Sequence, residues 1–112
     1  MKEFLINEKR VFLLTTRELV KATGLTSRTL RKWGKNGILP PPIAEEEDQH
    51  PTLGLRKARF YLAEQAEVLV WWIGIAKPHN GKKVPEELKN LLRDKWDEVT
   101  NRFLNKLEGV GI

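Results

Sequence analysis

Thr15-Thr16-Arg17-Glu18-Leu19-Val20-Lys21-Ala22-Thr23-Gly24-Leu25-Thr26-Ser27-Arg28-Thr29-Leu30-Arg31-Lys32-Trp33 is the stretch that decides the fold. Its first four residues have capping-box spacing: a threonine hydroxyl takes an orphan amide of the first turn, and the glutamate three residues on reaches back. A helix therefore starts here, buries Leu19, Val20 and Ala22, and stops at Thr23-Gly24, where glycine takes a positive φ at little cost. Thr26 or Ser27 caps a second helix that runs through Trp33 to Gly34 or Gly37.

Two short helices on the three-residue turn Thr23-Gly24-Leu25 make a helix-turn-helix pattern. Leu19, Leu25, Leu30 and Trp33 fall where the inner faces must pack, which leaves Ser27, Arg28, Arg31 and Lys32 pointing outward. Such a helix fits a DNA major groove, with its first residues at base edges and its amide end beside a phosphate.

Upstream, Val11 to Leu14 reads as a strand, and Phe4-Leu5-Ile6 is either its partner or a frayed arm. Downstream, Gly37-Ile38-Leu39-Pro40-Pro41-Pro42 ends any helix. Residues 43–54 read as a long, acidic, hairpin-like loop with Glu45-Glu46-Glu47-Asp48 at its tip, and Arg56 to Tyr61 as a strand that returns to the domain. A third helix is expected over about Ala63 to Ala76, with Ala66, Leu69, Trp72, Ile73 and Ala76 on one face. Lys77 to Lys83 is a linker. A final helix of about 23 residues starts at Val84-Pro85-Glu86-Glu87, with the stripe Leu88, Leu91, Leu92, Trp96, Val99, Phe103 and Leu107. Trp71, Trp72, Trp96 and Phe103 either fold this helix onto the third one or form a subunit interface.

The chain has 112 residues, a net charge of +5 and no cysteine. Disulfides, thiolate zinc sites and cysteine nucleophiles are thereby excluded. The apolar run Val68 to Ala76 is far short of a bilayer span, and the start of the chain breaks its apolar stretch too early for a secretory signal, so a cytoplasmic location is expected. Charge is uneven: residues 1–43 carry +6, 44–50 carry −4 and 51–61 carry +3, while the rest nearly cancels. The basic first half points to a polyanionic partner. No nucleophile elbow, phosphate-cradling glycine loop or paired-histidine motif is present, so no enzyme activity and no cofactor are expected. His50 and His79 each lack a second ligand at metal spacing, and the four-acid run lacks the alternation and glycine of a calcium loop.

Thr16 to Arg31, followed by Asn36-Gly37-Ile38-Leu39-Pro40-Pro41, resembles the winged helix-turn-helix of MerR-type regulators, and Arg59-Phe60-Tyr61 is similar to the Arg-x-Tyr that ends their wing. The likeness covers roughly residues 11–76. It implies a double-stranded DNA-binding module, usually a homodimer through a C-terminal helix, with Thr26 to Lys32 at the groove and Arg59 with Tyr61 on phosphates. The candidate contacts are therefore Arg17, Thr26, Ser27, Arg28, Thr29, Arg31, Lys32 and Lys35 on the helices and Arg56, Lys57, Arg59 and Tyr61 on the returning strand. The chain departs from the family in its acidic wing, in Leu62 where a capping Ser, Thr or Asp is common, and in a C-terminal part of about 30 residues without cysteine.

The expected fold class is mainly α: an N-terminal arm (1–10), a winged helix-turn-helix with a small hairpin wing (11–76), a linker (77–83) and a C-terminal amphipathic helix (84–112) that is a candidate dimerisation element. The expected function is sequence-specific DNA binding as a transcription regulator or DNA-architectural factor of a bacterium or its phage. A protein-interaction adaptor working through the acidic wing and the Trp-rich helix is the rival reading.

Overall fold

The computed structural model describes residues 1–50, 54–76 and 83–108, without the side-chain surroundings of 48–50 and 54–56. Residues 77–82 of the expected linker (77–83), with His79, lie outside the described residues, as does the side chain of His50. The chain begins with a β-hairpin, β1 (Lys2–Ile6) and β2 (Lys9–Thr15), in which Phe4 faces Val11 and Ile6 faces Lys9. Residues 4–6 are thus a paired strand. The turn takes Asn7 and Glu8 to φ of 51° and 66°, and two successive positive φ values are the tight-hairpin geometry that matches strand twist.

Helix α1 (Thr16–Thr23) starts on the expected capping box: the Glu18 backbone N–H donates to Thr15 Oγ1 at 3.2 Å, and the Thr15 N–H donates to Glu18 Oε1 at 3.1 Å. It ends where Gly24, at φ 75°, donates its N–H to the Val20 carbonyl. Helix α2 (Ser27–Lys35) follows, capped by Thr26. Strands β3 (Ala44–His50) and β4 (Gly54–Tyr61) form the wing; α3 (Ala63–Ala76) and α4 (Glu86–Leu107) complete the fold.

The strands make one antiparallel sheet in the order β1-β2-β4-β3. The class is therefore mixed α and β, which corrects the mainly-α expectation. Two misreadings account for the difference. The opening residues are a strand, and Glu45 to Asp48 is not a loop tip but the middle of β3. Glutamate and aspartate are poor strand formers alone, but strand preference depends on what lies across the ladder. Here Glu45 faces Arg59, Glu47 faces Lys57 and Asp48 faces Arg56.

Two apolar clusters hold the layers together. The larger joins Leu19, Leu30, Leu39, Tyr61, Ala66, Leu69, Trp72, Leu92 and Trp96; the smaller joins Leu13, Phe60 and Leu62, with Phe4 and Phe103 against them. The α4 stripe is thus occupied inside the chain. Its indoles are fastened as well: Trp72 Nε1 donates to the Leu88 carbonyl at 2.7 Å and Trp96 Nε1 to the Pro41 carbonyl at 3.0 Å. Trp33, half-buried, meets Trp72 edge to face at 5.6 Å. Trp71 stays outside the core.

Leu62, in place of a capping side chain, is rescued from three residues on. Gln65, 0% exposed, accepts the Leu62 N–H at 2.8 Å and donates through Nε2 to Thr100 Oγ1 at 2.9 Å. The Thr100 hydroxyl in turn donates to the Trp96 carbonyl at 2.7 Å. The start of α3 is thereby tied to the middle of α4.

Candidate nucleic-acid interface

The capping chemistry of α2 divides its polar residues into two groups. Thr26 Oγ1 accepts the Thr29 N–H at 3.1 Å and donates to Thr29 Oγ1 at 2.9 Å, so both hydroxyls serve the helix start. Ser27, Arg28, Arg31 and Lys32 are exposed, and so is Lys35 in the last turn. A hydroxyl engaged in a cap has less to offer a base edge than one that is free. Ser27, Arg28 and Arg31 are therefore the residues of the first turns best placed to recognise something outside the chain.

Helix α1 and the wing join α2 around one concavity of about 640 Å³, lined by Thr15, Thr16, Arg17, Ser27, Leu30, Arg31, Lys57, Ala58, Arg59, Phe60 and Tyr61. Thr16 Oγ1 donates to the Arg59 carbonyl at 3.4 Å, which seats the first turn of α1 on β4. Residues far apart in sequence thus bring four cations, Arg17, Arg31, Lys57 and Arg59, to one wall. Arg28, Lys32 and Lys35 lie on α2 outside this concavity. The Arg56 side chain lies outside the described surroundings; its backbone is level with Asp48.

Arg59 also lies against α2, since a Cβ on Gly34 would stand 3.7 Å from its Nη1. Together with Tyr61 it lines a second hollow of about 450 Å³ on the other side, with Pro40 to Pro42, Glu45, Arg93 and Asp97. Tyr61 is only 2% exposed, its ring edge-on to Trp96 at 6.1 Å. Burial pushes its phenol above the ordinary tyrosine value, Arg59 opposing and Glu45 adding to the shift, so it stays protonated at neutral pH.

The acidic strand moderates this surface. Glu45 stands across the ladder from Arg59 and comes within 3.9 Å of Lys57 Nζ, and Glu46, on the opposite face of β3, pairs with Lys2 of β1. Lys2 also lies over the Phe60 ring at 5.3 Å. Among the described ion pairs none engages Arg17, Arg28, Arg31, Lys32, Lys35 or Arg59. A cation without an acidic partner is available to an external anion at no cost in broken pairs.

Sequence reasoning passed over Gln65 and the cross-strand acids. The second were legible as a pattern: acids at 45, 47 and 48 and bases at 59, 57 and 56 pair in order when the segment is folded back as a hairpin. No spacing rule marks Gln65, because its partner Thr100 is 35 residues away.

The family model described as MerR HTH family regulatory protein matches residues 14–50, from the end of β2 through both short helices to the end of β3. This segment is a MerR-type helix-turn-helix. Comparison with curated proteins gave no match, and neither did comparison with solved structures. Among the described residues no helix is long and apolar enough to cross a membrane, and no cluster of three or more metal-ligating side chains occurs.

Proposed function

We propose, on the MerR-type helix-turn-helix of residues 14–50, that the chain is a transcription regulator that binds double-stranded DNA. Helix α2 enters the major groove with Ser27, Arg28 and Arg31 at base edges. Arg17, Lys57 and Arg59 hold phosphates on either side, and Lys32 and Lys35 add charge along the groove. Tyr61 acts from beneath, as the packed support of Arg59. The observation that carries this reading is the shared concavity, where α1, α2 and β4 each present a cation and three of the four cations have no acidic partner among the described ion pairs. Residues 11–76 form the binding unit, braced by α4, and its place of action is the cytoplasm.

Duplex binding titrated against salt tests the reading. Phosphate neutralisation by several cations makes affinity fall linearly with the logarithm of salt concentration, with a slope near −0.9 per phosphate contacted. Affinity that does not change between low and physiological salt would reject it. The adaptor reading draws less support, because Glu45 and Glu46 face cations of their own chain.

A further inference from the structure

Arg59 belongs to two concavities at once. On one side is the candidate DNA surface; on the other is the hollow of about 450 Å³ where the end of α2, the proline segment, the wing and α4 meet. Its volume falls within the roughly 300–1,000 Å³ of small-molecule sites. Four charged side chains line it, Arg59 and Arg93 against Glu45 and Asp97, so both signs are present and the sum is zero. Most of this charge is uncommitted. Among the described ion pairs none engages Arg59, Arg93 or Asp97, although Arg93 and Asp97 stand one turn apart on α4, and Glu45 meets only Lys57, at 3.9 Å.

The remaining wall is apolar and stiff. Pro40, Pro41 and Pro42 have ring-locked backbones, and the Trp96 indole holds the Pro41 carbonyl at 3.0 Å. The protonated Tyr61 phenol, on which the Arg59 and Glu45 charges both act, adds a hydroxyl to the lining.

We propose that this hollow binds a small zwitterion, a free α-amino acid with an apolar side chain. Its carboxylate lies on Arg59 and Arg93, its ammonium on Glu45 and Asp97, and its side chain against the prolines. A lone anion would meet two carboxylates here, and a lone cation two guanidinium groups. A molecule carrying both charges finds a partner for each, which selects it over either. Arg59 also lines the candidate DNA surface, so ligand and duplex compete for one side chain. The site itself is argued and tested without DNA, and its failure is separate from that of the DNA-binding reading.

Amide-resolved NMR of the full chain, titrated to about 10 mM with L-phenylalanine and with L-leucine, tests the site over the range of weak small-molecule binding. For each amino acid, the matching amine without the carboxylate and the matching acid without the ammonium are the controls. At least one amino acid is expected to give saturable shifts centred on Gly34, Gly37, Tyr61 and Asp97, and each of its one-charge analogues should bind at least about fivefold more weakly. Asp97→Asn should abolish the preference over the acid, and Arg93→Gln the preference over the amine. Both positions are exposed on α4, so the spectrum away from the hollow should stay unchanged. The proposal is overturned if neither amino acid saturates, if the analogues bind as tightly, or if both variants keep the full discrimination.

Discussion

Glu45 stands directly across the wing from Arg59 and approaches Lys57 to 3.9 Å, so the acid-rich strand holds its charge against two of the cations proposed to meet DNA. Each carboxylate within a Debye length of a phosphate, about 8 Å at physiological salt, opposes binding. Glu45→Gln with Glu47→Gln should therefore raise duplex affinity by up to about tenfold at low salt and by less at high salt. Electrophoretic mobility shifts at two salt concentrations check this, and a fall in affinity would mean that the acids organise the wing rather than dampen it.

Arg28 and Arg59 should differ in kind. Arg28→Ala is expected to cost about 1–3 kcal/mol on a cognate duplex and to relax preference at one base pair. Arg59→Ala should weaken cognate and random duplexes alike and reduce the salt slope by about one contact. Equal losses for both variants on both duplexes would remove the distinction between base reading and phosphate holding.

Gln65→Leu should destabilise the fold by about 1–3 kcal/mol, because it leaves the Leu62 amide without its acceptor and takes away the donor to Thr100 in a dry site. Urea unfolding measures the change. A midpoint equal to wild type would show that water or a shifted side chain satisfies both groups.

Glu8→Gly should stabilise the chain by about 1 kcal/mol. Glu8 is held at φ 66°, where a side chain crowds its own backbone and glycine does not. Thermal unfolding with an unchanged or lower midpoint would place compensating contacts on the Glu8 side chain.

Glu18 supplies a pH signature. The N-terminal ammonium at 2.8 Å, followed by the Thr15 backbone amide, holds its carboxyl below the ordinary glutamate value. A depressed folded value means stability that is fully present above the unfolded value and lost as pH falls through the folded one. Stability of the wild type should thus decline across the acid range below pH 4.5, and Glu18→Gln should flatten part of that decline.

The helix-turn-helix was legible because its signals are local. Thr15 with Glu18, Gly24 and Thr26 announce caps within four residues of what they cap, and the geometry follows them. The expected span of α3 was recovered over Ala63–Ala76, and that of α4 began within a residue or two of Pro85. What escaped was carried by partners distant in sequence. Glu45 to Asp48 become a strand through bases 8 to 14 residues away, and residues 2–6 become one through β2. For the candidate binding residues the sequence supplied the cations, and the fold determined which of them converge on one wall.

The join between β2 and β4 is narrow: Leu14 pairs with Tyr61 and Thr15 with Phe60, and those two register pairs unite the N-terminal hairpin with the wing. They close a loop of some 46 residues that contains the whole helix-turn-helix. Closing so long a loop has an entropic cost that only the contacts made afterwards repay, so it belongs late in folding, after the short helices and tight hairpins have had time to flicker into place. In native-state hydrogen exchange the amides of this seam should accordingly open with the whole molecule rather than with either hairpin, the slowest clock in the chain lying where its two halves are sewn together.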